Sequence, residues 1–234
     1  MTEFNQTPEQ HRTFSENTAS VASAIAGNYS FQIGDLISEA WEKINGRKGT
    51  IWMGILFYML AIIPILFIIG LVWQPTSYIG LALSQIIQTI ILLPLGMGFY
   101  MIGVKIASNT PTDGKEVFSY FNKIVPLAIT YLLMIILTGI GFLLLILPGI
   151  YLVVAYQMAM PLVVEKNLSP WEALEASRKS ITHNWFKYFG LLIVVSIIVM
   201  ISILPLGIGL IWSLPLAIVT YGIVYVKMYG YSGK

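Results

Sequence analysis

The side chains able to move a proton or hold a metal are few and poorly placed for chemistry inside a membrane. The chain has two histidines, His11 and His183, and no cysteine. Neither histidine lies in an apolar stretch, so no histidine-based catalytic pair, thiolate or zinc cluster can be assembled at depth. Glu165, Glu172 and Glu175 are the carboxylates best spaced to hold a cation. They share their neighbourhood with Lys166, Arg178 and Lys179, and a solvated, salt-bridged face is the simpler expectation. The Gly-x-Gly pairs that start at Gly96, Gly139 and Gly207 sit inside apolar runs, without the strand that a phosphate-binding loop requires. They read as structural, and no cofactor, metal or enzymatic activity is expected.

The polar groups within the apolar stretches are uncharged. Gln85, Gln88 and Gln157, with Thr220, are candidate intramembrane contacts, and hydrogen bonds between helices are their ordinary use. A path for a small molecule or a lipid is the alternative, which would make the chain a transporter. Proton coupling would need an ionisable residue at depth. The sequence offers none.

Those amides must be positioned by membrane helices. All 13 Lys and Arg and all 11 Asp and Glu lie outside three charge-free blocks, Gly49 to Val104, Ile124 to Val164 and Tyr188 to Val226. With 57% hydrophobic and 10% charged residues, the composition is that of a membrane protein. Each block exceeds the roughly 20 residues of one crossing and is interrupted near its middle, so each predicts two helices. The spans expected are Ile51 to Trp73, Tyr78 to Ala107, Ile124 to Leu147, Gly149 to Val164, Tyr188 to Leu204 and Ile211 to Lys227. Turns would fall at Gln74 to Ser77, Leu147 to Ile150 and Pro205 to Gly209. The positive-inside rule then sets both termini, with Asp35, Asp113 and Glu172, in the cytoplasm and Ser77, Gly149 and Gly209 on the far face. Trp73 and Trp212 would form the outer aromatic belt; Trp52, Trp185, Tyr188, Tyr229 and Tyr231 would form the inner one.

An amphipathic segment introduces each block. In the first, Asp35 to Asn45, Ile33, Leu36, Ile37, Ala40, Trp41 and Ile44 make one stripe. The second, Asp113 to Lys123, carries Val117, Phe118 and Phe121. The third opens on Ser169, Pro170 and Glu172, a capping box with proline at the first helical position. At one constant offset, Glu39, Ala40, Lys43 and Gly54 align with Glu175, Ala176, Lys179 and Gly190, preserving an i,i+4 Glu-to-Lys pair. The expected fold is therefore an all-α membrane protein. Its six transmembrane helices form three hairpins, each preceded by an interfacial amphipathic helix, in a threefold internal repeat over residues 31–234. Residues 1–30, polar and without a signal-like apolar run, read as a flexible cytoplasmic tail whose Val21 to Ala26 piece could form a short helix on a partner.

Bases gather where each unit enters the membrane. Arg47, Lys48, Lys123, Lys179 and Lys187 are candidate lipid-headgroup contacts, serving either simple anchoring or selection of anionic lipid. A net charge of +2 gives no footprint for nucleic acid. Within each block the second helix carries a pair of small residues four apart, Gly80 and Ser84, Ala155 and Ala159, Ser213 and Ala217. These helices are the candidates for the inner surface.

The run Leu147-Pro148-Gly149-Ile150-Tyr151, continuing through Ala155, Met158, Ala159, Pro161 and Leu162 to Ser169-Pro170-Trp171-Glu172-Ala173-Leu174, Ser177-Arg178 and Trp185, resembles a group of bacterial six-helix inner-membrane proteins. That group includes the membrane domain attached to some glycerophosphodiester phosphodiesterases. The resemblance implies a polytopic, non-catalytic module of the cytoplasmic membrane that organises lipid or a membrane partner protein. It does not carry the phosphodiesterase activity, which belongs to a soluble domain for which this sequence has no counterpart.

Overall fold

The computed structural model describes residues 19–73 and 76–233, and all regular structure among them is helical. A short α1 (Val21–Ile25) and the amphipathic α2 (Ile33–Ile44) precede the long α3 (Lys48–Val72) and α4 (Tyr78–Ala107). Two 3-10 turns, Gly114–Phe118 and Phe121–Lys123, lead into α5 (Ile124–Leu144), α6 (Ile146–Ala155) and α7 (Ala159–Glu165). Then come α8 (Pro170–His183), α9 (Trp185–Ile203) and α10 (Leu210–Tyr229). Among the described residues, six stretches are long and apolar enough to cross a membrane: α3, α4, the run Gly114–Leu144, the run Ile146–Glu165, α9 and α10.

Burial alternates along these six. In the most apolar part of the first, third and fifth, 0%, 17% and 17% of residues are buried; in the second, fourth and sixth the shares are 56%, 50% and 50%. The second member of each block is thus the inner one, as the small-residue pairs lead one to expect. Ser84, Ala155, Ala159 and Ser213 are all buried. The closest approach uses other residues. A Cβ on Gly222 would overlap the Gly103 carbonyl, and one on Gly103 would overlap the Ile218 carbonyl, so α4 and α10 meet backbone to backbone.

Their contacts run in opposite order, Tyr100 meeting Tyr225 while Gly103 meets Gly222 and Ile218. α10 therefore runs counter to α4. Six crossings with every far connection on one face would set them parallel. The expected placement of Gly209 and Trp212 on the face of Ser77 is not what the packing gives: Trp212 lies beside Lys48.

Four further expectations are corrected. The turn expected at Leu147 to Ile150 falls instead at Leu145, and Pro148 lies in the first turn of α6, where its missing N–H removes no helical bond. Gly149 then packs against Phe142 and Gly141. The fourth apolar stretch is not one helix but breaks at residues 156–158. Pro161 explains the break, because in a continuous helix its ring would strike the carbonyl four residues back. The second amphipathic segment forms 3-10 turns, with Val117 buried between α3 and α4 while Phe118 and Phe121 stay exposed. It can wedge there because a Cβ on Gly98 would strike the Val117 backbone and one on Gly114 would strike Gly54. Finally, the packed region begins before residue 31. Ala24 is buried, and the Tyr29 hydroxyl donates to the Ser180 carbonyl at 2.7 Å. His183 Nε2 donates to the Ile25 carbonyl at 2.9 Å. His11 and the expected tail up to residue 18, with Gln74 and Pro75 of the first turn, lie outside the described residues.

Candidate lipid-facing site

The five expected headgroup contacts lie at separate points, and four of them are occupied within the chain. Arg47 donates from Nη1 to the Ile106 carbonyl at 3.4 Å. Lys48 places Nζ 5.8 Å from the Trp41 ring and 5.9 Å from the Trp212 ring, within the range of a cation–π contact. Lys123 donates to Asn167 Oδ1 at 2.6 Å. Lys179 pairs with Glu175 at 3.3 Å, which is the expected i,i+4 contact, and its counterpart Glu39–Lys43 closes at 3.8 Å.

Lys187 differs. It is exposed at the start of α9 and makes no hydrogen bond or ion pair among the described residues. It lines an open cavity of about 670 Å³ with Lys227, Asp35, Ser30 and the first residues of α2. Gln32 caps α2 without a side-chain bond, so the cap side chain does not satisfy the first-turn amides, which carry the partial positive charge of a helix N-terminus with Asp35 in the same turn. Lys227 also pairs with Glu39 at 3.1 Å. Lys227 was not among the expected contacts. Its signal was available: it is the first charge after the third charge-free block.

The carboxylates divide into two environments. Glu172 accepts from Ser169 Oγ at 2.7 Å and from the Ser169 amide at 3.1 Å, realising the expected box. Those bonds hold its carboxyl below the usual range, the hydroxyl contributing more than the amide. Glu175 is held down chiefly by the Arg178 guanidinium, which donates at 2.7 and 3.0 Å. Glu165, expected on the same solvated face, is instead buried. Its oxygens accept from the Tyr225 hydroxyl and the Ser232 amide, each at 2.8 Å, with Lys166 Nζ at 3.1 Å. Burial is tolerable because every side of the charge is answered. No group of three or more His, Asp or Glu that could hold a metal occurs among the described residues.

The three glutamines do not pair across helices. Gln88 donates to Ser84 Oγ within α4 at 2.8 Å, Gln157 to the Val153 carbonyl at 3.3 Å, and Gln85 is exposed. Hydroxyls and indoles make interhelical bonds instead, Trp185 Nε1 for one donating to the Tyr151 carbonyl at 3.2 Å. Ser177, buried on α8, donates to the Ala155 carbonyl at 2.7 Å and accepts from the Met158 amide at 3.1 Å, bridging the break between α6 and α7. Tyr100 donates to the Tyr221 carbonyl at 3.4 Å. Tyr188 and Tyr229, expected in an interfacial belt, are core residues. Comparison with protein families, curated proteins and solved structures finds no match to this chain.

Proposed function

We propose that the chain is a non-enzymatic integral module of a bacterial cytoplasmic membrane that organises phospholipid at its charged face. Both termini lie on that face, and each of three units consists of an amphipathic segment followed by two apolar helices. The observation that carries this reading is the cavity at the start of α2, lined by Asp35, Lys187 and Lys227, where Lys187 makes no bond among the described residues and lies near the N-terminus of α2. That combination suits a phosphate oxygen. Its position, at the last charges bordering an apolar block, is that of a headgroup. The resemblance to six-helix inner-membrane modules agrees with this reading.

Native mass spectrometry of the protein released from mixed anionic and zwitterionic vesicles tests it. Replacing Lys187 and Lys227 with Gln should lower the anionic preference, since each cation near the surface contributes about 1 kcal/mol, about fivefold in the retention ratio. Lys179→Gln, at an exposed position already paired with Glu175, should change it far less. An unaltered preference in a correctly folded double variant would refute the headgroup role.

A further inference from the structure

The start of α10 lies in the wrong place for a helix that has just returned from the far side of a bilayer. Trp212 is 5.9 Å from the ammonium of Lys48, and the Ile211 carbonyl accepts the Trp52 indole N–H at 3.3 Å. Lys48 is the last charge before the first charge-free block, which fixes it at the headgroup depth of the charged face. Trp212 must therefore sit within a side-chain length of that face. A complete crossing would have placed it ~30 Å away.

The other end of α10 is held at the same face, by the Lys227–Glu39 pair. Between these two anchors α10 packs along α2. α2 turns Leu36, Ala40 and Ile44 inward against the protein core, while Glu42 stays exposed. α10 also packs in the opposite direction along α4, so what the two anchors fix is the depth of its ends, both at the charged face.

The connection from α9 to α10 is built for apolar surroundings. No polar side chain occurs from Ile203 to Ile211. Leu204 and Leu206 are 80% and 96% exposed. The turn answers most of its own amides: Gly207 donates to Ile203, Ile208 to Pro205, Leu210 to Gly207 and Ile211 to Ile208, at 2.9 to 3.2 Å. Hydrocarbon demands such internal pairing, whereas water does not. Leu206 also adopts a left-handed φ of +52°, a conformation that a turn in water commonly gives to Gly or Asn.

We infer that α9 and α10 form a monotopic hairpin that enters and leaves by the charged face, with its Leu204–Gly209 tip among the acyl chains of the near leaflet. The tip's partner is lipid hydrocarbon. The termini remain on one side, because two crossings are removed together. This inference rests on the packing of α10 and is independent of the headgroup cavity.

Single cysteines in the native cysteine-free chain test it. Leu206→Cys changes an exposed side chain and leaves the packing intact. An impermeant maleimide applied to the face that labels Ser77→Cys should not label Leu206→Cys. A nitroxide at the same position should collide with oxygen more than with an aqueous nickel chelate, at a depth under about 10 Å from the near phosphates. In intact membranes the pair Trp52→Cys with Ile211→Cys should be joined by a short bismaleimide, read as a mobility shift. Labelling of Leu206→Cys from the Ser77 face, a nitroxide beyond the midplane, or two reactive thiols that fail to cross-link would each overturn the inference.

Discussion

Ser177 repairs the defect that Pro161 imposes. Its hydroxyl accepts the Met158 amide and donates to the Ala155 carbonyl, so the break in the fourth apolar stretch leaves both groups answered in a dry environment. Removing it orphans one donor and one acceptor. Ser177→Ala should therefore lower stability by about 1–3 kcal/mol in a thermal or denaturant melt of the detergent-solubilised protein. Proline made the break readable in the sequence; the partner was not, because it stands on another helix. The capping box was legible, since its residues are neighbours, and it supplies a pH test. The Glu172 carboxyl is depressed below its ordinary 4.5, so its contribution is complete above that value and lost as pH falls through the folded-state value. Hydrogen exchange at the first turn of α8, corrected for intrinsic rates, should accelerate as pH falls below 4.5. Glu172→Gln should remove the acid dependence, and a first turn equally protected across that range would contradict the assignment.

At the scale of elements, the inner helices were legible because small residues permit close approach wherever they recur on one helix face. The crossing point itself was not. Gly103 and Gly222 are single glycines on separate helices, and no spacing rule links them before the fold does. Their substitution should separate steric need from ordinary helical preference. Gly222→Ala would drive a methyl into the Gly103 backbone and should cost about 1–3 kcal/mol or more. Gly139→Ala, on α5 with open space around it, should be neutral or stabilising by up to about 1 kcal/mol. Equal melting temperatures for the two variants would remove Gly222 from the helix contact. The second amphipathic segment was misread for a related reason. Val117 and Phe118 are adjacent, and the glycines at 54, 98 and 114 draw the first inward while the second stays out.

For the whole molecule, the charge pattern leads one to expect apolar blocks that leave one face and return to it. It does not show how far they travel. Length and hydropathy cannot distinguish a crossing from a hairpin held along the interface, and the direction of α10 emerges only from its contacts with α3 and α4. The same distinction bears on transport. A solute path needs polar groups that converge on one cavity, and the sequence offered Gln85, Gln88 and Gln157 for that role. They do not converge: Gln88 bonds within α4, Gln157 bonds to its own turn, and the cavity beside Lys187 is lined by other residues. Changing all three to Leu should consequently leave solute flux through proteoliposomes at the level of protein-free vesicles, as for the unchanged protein. The stability cost should be near the ~0.6 kcal/mol average of one buried polar contact, confined to Gln88, because Gln85 and Gln157 are exposed. Saturable uptake by the unchanged protein that the triple variant abolishes would establish a polar path through these residues and replace a packed module with a carrier.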